Sequence, residues 1–107
     1  MEKELVYHIK FKTAITLNIL LNQAKSYSEN QTKDIATSQG KIASFAVLRK
    51  ATVTNILNAK TNPSTATLIL IVEAMGFTIK NFAEVYESIG TSNLRQLAKQ
   101  LNNLKAK

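Results

Sequence analysis

Three glycines and one proline, Gly40, Pro63, Gly76 and Gly90, are the only strong helix breakers in the 107 residues of this chain. Pro63, Gly76 and Gly90 stand between stretches whose apolar residues recur three or four positions apart, and Gly40 falls near the start of one such stretch. No two alternating runs are joined by the turn residues a hairpin needs. The pattern predicts an all-α protein, a compact bundle of about five to six helices around one core. A chain of this length can bury such a core without covalent staples.

The helices can be placed by their caps. A first helix is expected over residues 13–25, with Ile15, Leu17, Leu20, Leu21 and Ala24 as its apolar stripe. The residues before it, including Leu5, Val6, Tyr7, Ile9 and Phe11, fit either a helical lead-in or a short extended arm. Residues 26–38 are polar and long for a connection inside a helical bundle. They read as a loop, with room for one turn of helix at residues 33–36. Ser38 is placed to cap a second helix over residues 39–47, whose inward face would hold Ile42, Ala43, Phe45 and Ala46. A brief turn at Leu48 and Arg49 leads to a third helix over residues 50–58, with Val53, Ile56 and Leu57 buried. Pro63 cannot continue it.

Ser64 caps a fourth helix over residues 65–75, stopped by Gly76. Its "ATLILIVEAM" is apolar on nearly every face, which predicts the most buried helix of the bundle. Thr78 caps a fifth through residue 88, with Ile79, Phe82, Ala83, Val85 and Tyr86 available for packing and Gly90 closing it. A sixth, amphipathic helix starts near residue 92. It carries Leu94, Leu97, Leu101 and Leu104 in a short heptad-like seam. That spacing serves equally to pair two chains as a homodimer or to fold back on its own domain. Residues 1–90 therefore read as the main domain and residues 91–107 as a C-terminal helix.

Composition removes whole classes of chemistry. There is no cysteine, so no disulfide, thiol nucleophile or thiolate metal site, and His8 is the only histidine. No catalytic set, metal site or cofactor is implied, and an enzyme is not expected. The net charge is +7, from 14 basic and 7 acidic side chains. No acid occurs between residues 35 and 72, yet Lys41, Arg49, Lys50 and Lys60 fall there. A basic surplus of this size favours nucleic acid or an anionic membrane as partner. The longest apolar run, "LILIV" at residues 68–72, is far too short to span a bilayer. With no leader-like start, the chain is expected in the cytoplasm and away from membranes.

One stretch ties these observations together. "ATVTNILNAKTNPS", residues 51–64, puts Thr and Asn where a purely structural helix would prefer Ala, Leu and Glu. With Val53, Ile56 and Leu57 inward, an advance of about 100° per residue sets Ala51, Asn55 and Asn58 on the opposite side, flanked by Thr52 and Thr54. Lys50 opens that helix. Residues 39–82 further resemble the Cro/CI-type (XRE) helix-turn-helix family, lambda repressor-like in fold. The likeness rests on the Ile42-Ala43 pair, the aliphatics Val53 and Ile56, the exit "NAKTNPS" and the helix "TLILIVEAMG", all at the family's spacing.

The resemblance implies a DNA-binding domain, with helix-turn-helix at residues 39–58 and core helices at residues 64–88. It implies a transcriptional regulator of double-stranded DNA, most simply a repressor. In the family, positions matching Lys50, Ala51, Thr52 and Asn55 commonly read bases, and the chemistry suits them. Lys donates to guanine, Asn pairs with adenine, and Ala or Thr offers methyl contact to thymine. Gln39, Lys41, Arg49, Thr54, Asn58, Lys60 and Asn62 are the matching candidates for phosphate contact. Lys41 opposes the dipole at a helix start by a few tenths of a kcal/mol, which a bound anion would explain.

Two departures from the family carry expectations of their own. Val47 stands where the family often has Gly, and a β-branched residue resists positive φ. The turn should therefore use ordinary dihedrals, or the second helix should run longer. Leu57 replaces an acid, which exchanges an ion pair for packing. Two other functions use the same fold: the DNA-binding antitoxin of a toxin–antitoxin pair, with a toxin as partner, and a protein-interaction module that no longer reads DNA.

Overall fold

The computed structural model describes the backbone of residues 2–28, 35–90 and 94–105, and side chains at 5–27, 35–90 and 95–105. These residues form an all-α bundle of six helices: α1 (Glu2–Ser28), α2 (Gln39–Ala46), α3 (Lys50–Leu57), α4 (Thr65–Ala74), α5 (Ile79–Ser88) and α6 (Leu94–Lys105). No strand occurs among them.

The first helix is much longer than its apolar stripe predicts, because the lead-in is helical. At about 1.5 Å per residue, α1 spans roughly 40 Å, which sets the long axis of a molecule measuring 45 × 25 × 24 Å. It is also the central helix. Thr13 to Asn18 are buried without a break, followed by Leu20, Leu21 and Ala24. That is more than one stripe, because α1 is covered from two sides.

Two apolar clusters share it. The larger joins Leu17, Leu20, Leu21 and Ala24 to residues of α2, α3, α4 and α5. The smaller joins Ala14 and Ile15 to Ala59, Ile89, Leu97 and Leu101, with Leu104 packed at its edge. The leucines offered for pairing two chains are thus used within one chain: Leu97 and Leu101 are buried and Leu104 partly so. Leu94's side chain lies outside the described residues.

α4 is not the most buried helix. Only Ile71 and Val72 are buried within it, while Leu70 is 44% exposed. An apolar sequence on every face does not compel burial where neighbours cover only one side. Phe45 and Ile79, expected inward, are exposed on the outer faces of α2 and α5, and Ala83 is exposed as well.

The caps fall where the sequence puts them. Ser38, Ser64 and Thr78 each accept a hydrogen bond from the backbone N–H three residues on, and Thr78 forms a capping box with Asn81. Gly76 ends α4 at φ 87, and a Cβ there would lie 2.8 Å from Cγ2 of Ile35. Glycine is required at that position on both counts. Gly90, by contrast, does not cap α5, which ends at Ile89 in an extended conformation. Residues 33 and 34 of the expected extra turn lie outside the described residues. Ile35 and Ala36 are not helical, and the N–H of Ala36 donates to the carbonyl of Ala74 at 2.8 Å.

Among the described residues, no single helix is long and apolar enough to cross a membrane.

Candidate nucleic-acid interface

α2 and α3 are two eight-residue helices joined by Val47, Leu48 and Arg49. The join is a helix stop followed at once by a helix start. The N–H of Leu48 donates to the carbonyl of Ala43 at 2.8 Å, and that of Val47 to Ser44 at 3.3 Å. This pair of bonds requires a left-handed residue between them, and Val47 takes that role at φ 56 and ψ 50. The expectation of ordinary dihedrals is therefore corrected. The β-branched residue accepts the conformation a glycine would adopt without strain, and it does so 89% exposed.

The same motif ends α3. The N–H of Lys60 donates to Asn55 at 2.8 Å and that of Ala59 to Ile56 at 3.1 Å, with Ala59 left-handed at φ 60. Alanine serves there because its methyl group is buried in the smaller cluster, a contact glycine would lack.

Three contacts fix α3 within the bundle. Val53, Ile56 and Leu57 are buried in the larger cluster, so Leu57 packs as expected. Thr54 donates its hydroxyl to Oε1 of Gln39 at 2.9 Å, tying α3 to the start of α2. Asn18 of α1, 6% exposed, donates to the carbonyl of Leu57 at 3.0 Å and to that of Ala14 at 2.8 Å. The last carbonyls of a helix have no partner within it, and Asn18 supplies one from a neighbouring helix.

Sequence reasoning missed Asn18. Its signal was a lone amide inside an apolar stripe, between Leu17 and Ile19. Thr16, also buried, instead donates to its own helix at Lys12.

What remains outward is a short polar surface. Lys50 and Ala51 are exposed, and Thr52 and Asn55 are partly exposed. Of the candidates for phosphate contact, Lys41, Arg49, Lys60 and Asn62 are exposed, while Gln39, Thr54 and Asn58 are partly buried. Thr54 is committed to Gln39, and Oδ1 of Asn58 is buried with no hydrogen-bond partner among the described residues. Packing of α2 against α3 brings the start of α2 beside α3, so most of these groups share one region of the surface.

Among the described residues, no three His, Cys, Asp or Glu side chains gather where a metal could be held. On α5, burial raises the Tyr86 phenol above its ordinary value. Comparison with family patterns, curated proteins and solved structures finds no match to this chain.

Proposed function

We propose that the chain is a sequence-specific binder of double-stranded DNA, a transcriptional regulator acting by occupying its site. α3 would enter the major groove, which is about 12 Å wide and accepts one helix. One observation carries the reading: the outward side of α3 is polar and free of acids, and exposed cations stand at both of its ends. Arg49 and Lys50 stand at its start and Lys60 just past its end. Lys50, Ala51, Thr52 and Asn55 would meet base edges. Lys41, Arg49, Lys60 and Asn62 would meet phosphates.

The rigid frame supports this. Groove reading needs a helix held at a fixed angle, and the Thr54–Gln39 bond and Asn18 hold α3 at its middle and at its C-terminal end. Selection of a random duplex library at two salt concentrations tests the proposal. Enrichment of a short common site is expected. Weak binding that falls steeply with salt and enriches no site would overturn sequence-specific recognition.

A second reading, contact with a partner protein in the manner of an antitoxin, is favoured by the first turns of α1. Leu5, Val6, Tyr7 and Ile9 are 44–64% exposed there. Mixing the chain with its genomic neighbours' products tests it by co-elution.

A further inference from the structure

The chain has no acidic residue after Glu87, so α6 carries cations and amides without a carboxylate. A solvated helix is better served by mixed signs, because opposite charges four residues apart support it. α6 does the reverse. Arg95 stands in its first turn, where a cation opposes the dipole. Lys99 follows four residues on, where two like charges repel. Both are exposed, and neither makes an ion pair among the described residues.

These charges face away from the bundle. Leu97 and Leu101 are buried in the smaller cluster, with Leu104 packed at its edge. At about 100° per residue, the row opposite those leucines is Arg95, Lys99, Asn102 and Asn103, and all four are exposed. With its apolar side committed to α1, α6 has nothing to insert into a lipid surface. The outward row also lacks the aromatic or apolar anchors on which contacts between proteins rest. Cations with amides beside them suit a repeating polyanion instead: the cations neutralise phosphates, and the amides bond phosphate and sugar oxygens.

The helix lies next to α3. Ala59, two residues past the end of α3, shares the smaller cluster with Leu97 and Leu101. In the last turn of α6, Leu104 and Lys105 line a cavity of about 210 Å³ together with Ser38 and Gln39 at the start of α2.

We propose that the outer face of α6 is a second DNA-contacting surface, which grips the sugar–phosphate backbone beyond the stretch that α3 reads. It rests on the DNA-binding reading above and extends it: α3 and its flanks select the site, and Arg95 and Lys99 add affinity that does not depend on sequence. Four residues apart on a helix, the two cations stand about 6 Å apart along its axis, and each neutralises one phosphate. Their unfavourable placement in the free protein is offset when the phosphates arrive.

The test compares the wild type with an Arg95→Gln, Lys99→Gln double variant and with Lys99→Gln alone. Because both cations oppose the helix, neither variant should melt below the wild type, which verifies the fold. Binding to a random-sequence duplex is measured over a range of salt, beside selection from the duplex library and cosedimentation with phosphatidylserine vesicles. The slope of log K against log salt should fall by about two in the double variant and about one in the single, since each neutralised phosphate contributes about 0.9. All three proteins should enrich the same site. If they bind duplex with one slope, the α6 surface is overturned and the DNA reading stands. If the slope falls but no protein enriches a site, the α6 surface stands and sequence-specific recognition fails. If the wild type binds no duplex, both fail, and vesicle binding lost in the variants would assign the face to an anionic membrane instead.

Discussion

Replacing Val47 with glycine should make the protein more stable, an unusual outcome for a substitution that removes a whole side chain. Val47 sits at φ 56 and ψ 50, where a side chain other than glycine costs about 1–2 kcal/mol, and β-branching puts valine near the top of that range. The side chain returns little, because it is 89% exposed and its burial contributes only a small fraction of the roughly 1.5–3 kcal/mol of a fully buried valine. Against the relief stands the greater freedom of glycine in the unfolded chain, about 0.5–1 kcal/mol. The net gain is about 0.5–1 kcal/mol. For a domain of this size that raises the melting temperature by roughly 2–6 °C. Thermal unfolding followed by circular dichroism reads it directly. Val47→Ala, which removes the branching but keeps a Cβ, should fall between valine and glycine. A Val47→Gly protein melting at or below the wild type would refute the left-handed turn, and with it the hydrogen bonds from Val47 and Leu48 that join α2 to α3.

Further outcomes follow from the packing and the proposed interface. Asn18→Ala leaves the Leu57 carbonyl unpartnered and should cost about 1–3 kcal/mol in urea unfolding; a loss under about 0.5 kcal/mol would mean that Asn18 does not clasp α3. Leu97→Ala should cost about 2–5 kcal/mol with no change in sedimentation, whereas a changed association state at unaltered stability would put the leucine seam between chains. Burial raises the Tyr86 phenol, so the unfolded chain ionises first. Its contribution is complete below pH 10 and is lost as pH rises through the folded value. Tyr86→Phe should therefore lessen the fall in melting temperature between pH 9 and 11, and an identical fall would refute the shift. In the DNA complex, Asn55→Ala should remove about 1–3 kcal/mol of discrimination at one base position, and Lys60→Ala should weaken all sequences alike and lower the salt slope by about one. The reverse pattern would exchange their roles.

Local signals were legible in the sequence, and features that depend on what packs where were not. The caps at Ser38, Ser64 and Thr78 and the stop at Gly76 are decided within a few residues, and each stands where the sequence puts it. The buried stripe Val53, Ile56 and Leu57 is likewise fixed by helical period. Burial of whole helices follows from neighbours. α4 and α1 are both rich in apolar residues, but α1 has a cluster on each side and α4 does not, so their expected ranks are reversed. Phe45 falls outward because α2 is covered on the side of Ile42, Ala43 and Ala46, a width that short period counts do not resolve. Val47 is a different case. Its propensity argues correctly against a left-handed turn, and the bonds at Val47 and Leu48, together with burial on either side, outweigh it. At the candidate interface, charge and period pointed to α3 and its flanks. The supports at Asn18 and Gln39 join residues far apart in the chain and leave no local pattern.

The two clusters on α1 also divide how the molecule opens. α6 holds on chiefly through Leu97 and Leu101 in the smaller cluster, while α2, α3, α4 and α5 are bound through the larger one. Detachment of α6 exposes Ala14 and Ile15 but leaves the larger cluster whole, so it is a partial opening with a free energy below that of global unfolding. Amide protons of α6 should exchange with solvent sooner than those in the middle of α1. Each such opening also carries Leu104 and Lys105 away from α1 and the start of α2, so the cavity lined by these elements exists only in the closed population. Whatever binds the closed form alone would slow exchange along α6, because it draws population away from the open form.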